Sequence, residues 1–331
     1  MKHLLCVAVV LFTFVGYLQA TEVPTYVLLI GHCPMSDEGL DFQYDVHSIA
    51  FSHDGKKVVT ASDDGTAFIW DVESGKILKI LRVRENSEKS EYYGSVYSAA
   101  FSPDGKRIVT GSADARIWDA ETGKEVQKLE GHAGEVISVT YSPDGKMIAT
   151  GSHDRTVRIW DAESGKELQK LGHWLSSVAF SPDGEKIVTA GDGIRIWDAK
   201  SGKELQKMNG TVFWINSIAF SSDRKKIVIG SRDATIRILD AESGKEIKRL
   251  VAPNGKIFSV AFLPGDRIVS VGSDPIRIWD SETGKVLREI GLFKGRGLSL
   301  VVPHPEGRKI AVAGGEGYAD IIILEKEPEA K

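Results

Sequence analysis

The chain has 331 residues, 42% of them hydrophobic and 27% charged, with a formal net charge of −4. That balance fits a soluble globular protein, and with no basic excess it argues against nucleic acid as a partner. Only two cysteines are present, Cys6 and Cys33, so a disulfide-rich scaffold is excluded.

The first element in chain order is a leader. Met1, Lys2 and His3 make a short basic start, and Leu4 to Val15 is an apolar run of 12 residues. Such a run is too short to span a bilayer. Gly16 to Ala20 is a small-residue exit, which puts cleavage after Ala20. Residues 1–20 therefore read as a signal peptide and the protein as exported, either periplasmic or secreted; an uncleaved anchor is the competing reading. Cleavage removes Lys2 and Cys6, leaving the charge one unit more negative and Cys33 without an intrachain partner. No later stretch approaches roughly 18 continuous apolar residues, so no membrane insertion is expected after cleavage.

Residues 26–30 read as a strand followed by Gly31-His32. From there the chain repeats itself. One unit runs VISVTYSPDGKMIATGSHDRTVRIWDAESGKELQKL, from Val136 to Leu171. Within it, Val136 to Tyr141 is β-branched and aromatic, and Ser142-Pro143-Asp144-Gly145 is a turn. Lys146 to Ser152 is a second strand, and Thr156 to Trp160 alternates as a half-buried strand does. A turn at Ala162-Glu163-Ser164-Gly165 leads into a more polar fourth strand, Lys166 to Leu171. Asp-Gly and Ser-Gly turns between such runs are hairpin signals. No stretch carries a helical period.

Trp-Asp pairs stand at 70–71, 118–119, 160–161, 197–198 and 279–280, with Leu239-Asp240 and Leu324-Glu325 read as worn copies. Successive spacings from Trp70 are 48, 42, 37, 42, 40 and 45 residues. This period and dipeptide resemble the WD40-repeat family, and the regularity of the units resembles bacterial multi-repeat members of it. The resemblance covers 26–325 and implies an all-β, seven-bladed β-propeller of four-stranded antiparallel blades. It also implies ring closure: strand 26–30 would complete a last blade whose other strands are Leu298–Val302, Lys309–Ala313 and Ala319–Leu324. Residues 326–331 are then a disordered tail.

His132, Ser152, Asp154 and Trp160 look like parts of a hydrolytic triad. The family resemblance implies instead a hydrogen-bonded set that braces a blade, with His32, Ser62, Asp64 and Trp70 as a second full set. No catalytic residue is assigned. Histidines 32, 47, 53, 132, 153, 173 and 304 are spread over the repeats without metal-ligand spacing, and no phosphate-binding glycine loop occurs. Neither a metal nor a cofactor is expected.

Departures from the repeat are more informative. Two connections leading into a first strand are long. Cys33 to Asp45 holds acidic residues with Phe42 and Tyr44; Arg82 to Ser95 holds Glu85, Glu88, Glu91, Tyr92 and Tyr93. At the position of Glu135 the other units carry Asp45, Ser95, Trp174, Trp214, Lys256 and Gly297. Phe213 precedes one of the two tryptophans, and Asn216 and Phe258 sit two residues further along their own strands. This aromatic patch reads either as a partner site or as cover for the gaps between blades.

A monomeric, non-catalytic scaffold for a protein or peptide partner is the function expected, with binding on the face carrying those connections. The alternatives are a small-ligand or carbohydrate binder, or an enzyme using the central channel. For the last, only Asp45, His47, Glu135 and Lys256 are candidates at the inner-strand positions compared.

Overall fold

The computed structural model describes residues 26–29, 44–83, 94–172, 175–191, 193–208, 215–253, 255–273, 275–291, 297–315 and 319–324, with the backbone alone at 26–29, 175–176 and 323. These residues form seven four-stranded antiparallel sheets and no helix. No helix among them is long and apolar enough to cross a membrane. Blade one consists of Val46–Phe51, Lys57–Ser62, Thr66–Asp71 and Ile77–Arg82. Blade three, the unit read above, consists of Val136–Tyr141, Met147–Ser152, Thr156–Asp161 and Glu167–Gly172.

First strands of consecutive blades touch all the way round, and Val46–Phe51 meets both Ser98–Phe101 and Leu298–Pro303. The blades therefore close into a ring, with first strands innermost and fourth strands on the rim. Burial follows from this. Second strands are covered on both sides by neighbouring blades, so Met147–Ser152 is buried at five of six residues. Its sequence is accordingly a run of apolar and small residues. Fourth strands face solvent, and Glu125–Leu129 buries only Leu129. Small residues let adjacent blades approach. A Cβ on Gly111 would lie 2.6 Å from the Val136 carbonyl oxygen of the next blade.

The blades are stitched at two radii. Near the axis, the third residue of a first strand is usually Ser, and its hydroxyl meets the backbone of the next first strand. Ser48 accepts from Ala99 N–H at 3.1 Å, Ser98 from Val139 at 3.1 Å, Ser138 from Val178 at 3.2 Å and Ser217 from Val260 at 3.2 Å. Ser259 donates to the Val301 carbonyl at 3.3 Å. On the rim, Gln127 donates to the Ser164 carbonyl at 2.7 Å, and Gln169 to Lys200 at 3.3 Å.

The junction between blades seven and one is built differently. Leu300 stands where the serine would be and packs with Val46, Ile49 and Ile321. The polar link moves to a turn. Buried His304 occupies the place held by Ser142 in blade three. Its Nδ1 accepts the Glu306 N–H at 3.1 Å, and its Nε2–H donates to the Gly55 carbonyl of blade one, also at 3.1 Å. Gly55 has a φ of +68°, and a Cβ there would sit 2.0 Å from His304 Nε2. Gly105, its equivalent in blade two, has a φ of +69° and open space around it. Gly105→Ala should therefore show only the left-handed backbone cost, about 1–2 kcal/mol. Gly55→Ala should exceed it by about 1–3 kcal/mol, because the ring must also move off its acceptor. Equal unfolding midpoints for the two variants would remove His304 from the account of this junction.

On the other side of blade seven, the strand Tyr26–Leu29 lies antiparallel to Ala319–Ile323, with Leu29 opposite Ala319 and Tyr26 opposite Ile322. The same sheet corrects the reading of Leu324-Glu325 as the worn Trp-Asp pair. In blade three Trp160 is opposite Ile148; in blade seven Ile322 is opposite Ile310. Ile322-Ile323 thus hold the Trp-Asp positions. Leu324 N–H donates to the Arg308 carbonyl, as Ala162 does to Lys146. Leu324 is the counterpart of Ala162, two residues further on.

Candidate binding face at the channel mouth

The two faces of the ring differ chemically. The first and third turns of each blade share one face, joined by bonds such as Ala162 N–H to Lys146 O. Their carboxylates are spent on the turns themselves. Ser52 donates to Asp54 at 2.6 Å and Lys56 N–H at 3.1 Å, and the pattern recurs at Asp104, Asp144, Asp183 and Asp223. The seryl hydroxyl, then the Lys56 N–H, holds the Asp54 carboxyl below its ordinary range. In the other turn Ser74 does the same for Asp71, and Ser164 for Asp161. Recurrence here is turn chemistry.

The second turn and the connection into the first strand share the opposite face, tied by Asp63 N–H to Asp45 O and His153 N–H to Glu135 O. The bracing set of blade three hangs beneath it. Trp160 Nε1–H donates to Thr150 Oγ1 at 2.8 Å, Thr150 reaches His132 Nε2 at 2.7 Å, and His132 Nδ1–H reaches Asp154 at 2.9 Å. With Nδ1 as donor, Nε2 accepts the threonyl proton, and the imidazole is neutral. Burial lowers the His132 pKa, with Asp154 opposing. Burial alone would raise Asp154. The Thr156 hydroxyl, the Ala133 N–H and His132 together outweigh it and hold the carboxyl far below its usual range.

Ser152, expected in this set, touches it only by accepting the Asp154 N–H at 3.0 Å, and donates to Gly134 O at 2.8 Å. The indole partner is Thr150. In blade one it is likewise Thr60, 2.8 Å from Trp70 Nε1, while Ser62 accepts from Asp64 N–H at 3.4 Å. His32 lies outside the described residues. The Trp–hydroxyl pair recurs as Trp118–Thr110, Trp197–Thr189 and Trp279–Ser270. In blades five and seven both members change together, to Leu239 with Ile229 and Ile322 with Val312. Losing both partners avoids a stranded buried donor.

Around the channel mouth the side chains differ from blade to blade. On blade one, His47 Nε2 meets Asp63 at 2.6 Å. Its ring lies 5.6 Å from that of Tyr97 on blade two. Burial, then the hydrogen bond to Glu135 and its charge, raises the Tyr97 phenol above its ordinary pKa. Glu135, on blade three, also meets His153 at 3.3 Å. A second group spans blades five and six. Asn216 Nδ2 donates to the Ile257 carbonyl at 2.8 Å, and its oxygen accepts from Arg232 Nε at 3.3 Å. Phe258 is half-buried and Lys256 exposed beside it.

Of the residues expected at a partner site, Asn216 and Phe258 are thus brought to one blade junction. Tyr44 is half-buried ahead of blade one. Trp174, Phe213, Trp214, Tyr92 and Tyr93 lie outside the described residues, as do the leader, Cys33 and the tail. Tyr97, Asp63, His153 and Arg232 were missed. Tyr97 occupies the strand position of His47, Asn216 and Phe258, so comparing that position as well would have found it. Among the described residues no group of three His, Cys, Asp or Glu side chains is placed to hold a metal ion.

Seven four-stranded blades in a closed ring define a β-propeller, and the Trp–hydroxyl brace narrows the class. A family model described as "WD domain, G-beta repeat" matches residues 39–71, 86–119, 123–161, 165–198 and 202–240. Together these cover more than half of the chain, which belongs to this WD40-repeat family. Each match ends on the third strand of a blade, and those at 123–161, 165–198 and 202–240 begin with the fourth strand of the blade before, so these repeats straddle two blades. The matches stop before blades six and seven, where the serine of the first turn becomes Leu263 and His304. No curated protein matches the chain.

Proposed function

We propose that this propeller is a monomeric, non-catalytic scaffold for a protein or peptide partner, acting outside the cytoplasm, with the partner docking at the channel mouth. WD40 propellers are commonly interaction scaffolds and typically lack enzymatic activity. One observation carries the choice of face. Side chains that break the repeat gather at the mouth, whereas on the opposite face the recurring aspartates bond their own turns in blade after blade. Variable side chains on a rigid repeated frame are where recognition resides. The leader at 1–20 supports action after export.

The test is the double variant Trp174→Ala/Trp214→Ala, checked for an unchanged melting profile. Aromatic anchors at an interface centre are worth about 2 kcal/mol or more each. Capture of native partners from the exported fraction should fall at least about tenfold. Unchanged capture by the folded variant would sink the assignment of this face.

A further inference from the structure

Resting on the reading of the mouth as the docking face, we propose that its partner is a dipolar extended segment. One Lys or Arg side chain of that segment seats over blades one to three. One Asp or Glu side chain, further along, reaches blades five and six.

Charge is divided unevenly around the mouth. Blades one to three bring Asp45, Asp63 and Glu135 to the mouth. Asp63 is engaged by an imidazole, and Glu135 by a phenol and an imidazole. None of these donors carries a fixed positive charge, and the Asp63 and Glu135 carboxylates retain acceptor capacity. The side chains of Asp63 and Glu135 are 35% and 38% exposed, so a ligand can reach them. The opposite arc has the reverse sign. Arg232 and Lys256 are exposed there, and the neighbouring Asp233 is occupied by Thr235 and Arg237. Phe258, half-buried, follows Lys256 by two residues on the first strand of blade six.

The arcs face one another. In a ring of seven blades, the junction of five and six lies directly across the axis from blade two. Tyr97, at the centre of the acidic arc, is on blade two; the Asn216–Ile257 bond marks the junction of five and six. Each pole is assembled across blade boundaries by side chains that replace one another freely at the same strand position. The His47 and Tyr97 rings meet at a tilt 5.6 Å apart, Glu135 acts on the Tyr97 phenol, and Asn216 bonds the next blade. The general inter-blade link is the serine one residue further along, so these contacts are additional to it. A partner with one charge sign would meet repulsion at one pole. A segment with both, in the right order, meets attraction at each.

The probe is an array of synthetic decapeptides in a Ser/Gly/Tyr background, offered to the intact folded chain at low salt. Each carries one Lys and one Glu, at every separation and in both orders; Lys-only, Glu-only and uncharged peptides complete the set. Two-charge peptides in one order should be retained at least fivefold over the single-charge sets. Glu135→Gln, which keeps an acceptor for Tyr97, should abolish the advantage given by Lys and leave that given by Glu. Arg232→Gln should do the converse. Equal retention of charged and uncharged peptides, or equal weakening of every class by both variants, overturns the dipolar partner. If that retention is still lost in Trp174→Ala/Trp214→Ala, docking at the mouth stands and only the charge order falls. Retention of no peptide overturns both.

Discussion

Thr150→Val should lower the unfolding free energy by about 2–4 kcal/mol, because one hydroxyl serves two buried partners. Trp160 would lose its acceptor and His132 Nε2 its donor, with His132 and Trp160 both buried. Thr110→Val is the internal control. The described side-chain bond there is from Trp118 alone, so the cost should be nearer 1–2 kcal/mol. Ile229→Thr reverses the logic. It places a hydroxyl opposite Arg237 in a blade whose Trp position is Leu239, and should destabilise rather than repair. Urea unfolding of the three variants reads the order directly, and Thr150→Val costing no more than Thr110→Val would sink the shared-hydroxyl account. The same set has a pH signature. His132 is depressed in the folded state, so its contribution is present above the unfolded value of 6.5 and is lost as pH falls from there toward the folded value. Asp154 is depressed too, and its contribution is lost as pH falls below the ordinary carboxylate value of 3.8. Acid therefore weakens the brace in two stages, the first near the ordinary histidine range. In His132→Asn the first stage should shrink.

The architecture was legible because it repeats. Hydrophobic alternation and Asp-Gly turns located the strands of blade three to within a residue at each end. What was illegible depends on cross-strand register. Thr150 and Ser152 project to the same side of one strand, so composition favours neither as the indole's partner; the pairing of Ile148 with Trp160 decides it. Leu324-Glu325 imitates an apolar–acidic dipeptide, but the strand had already placed Ile322 opposite Ile310. The mouth was half legible. Asp45, Glu135, His47 and Lys256 stood out in one alignment column or the next. Tyr97, Asp63 and His153 did not, because their roles arise between blades. Glu135 meets Tyr97 from 38 residues away, and no periodicity within one unit encodes that contact.

Deleting residues 26–30 should unfold the rim of blade seven and lower the melting temperature by on the order of 5–10 °C. The register carries this expectation. Leu29 lies opposite Ala319 as Leu129 lies opposite Ala115 and Leu171 opposite Val157. Leu129 and Leu171 are buried, and removing such a side chain costs about 2–5 kcal/mol. The inner part of the junction should survive, since Leu300 packs with Val46 and Ile49 of blade one and the His304–Gly55 bond joins two turns, both away from the N-terminal strand. Loss should therefore be confined to the outer strands, seen as new proteolysis within 319–324 while blades two to five stay protected. A crosslink tests the pairing without truncation. Val27 and Ile321 are register partners, so Val27→Cys/Ile321→Cys should form a disulfide on mild oxidation. Shifting the second cysteine to Ile323 moves it two residues out of register, and that pair should crosslink far less. Equal yields from both pairs would mean that the N-terminal strand does not occupy this slot. If the in-register bond forms, it closes nearly the whole chain into one loop. Long loops constrain the unfolded state most, by about 5–6 kcal/mol for a loop of this length in the chain-entropy estimate. The oxidised ring should then melt well above the reduced one, and adding reductant should return it to the wild-type transition.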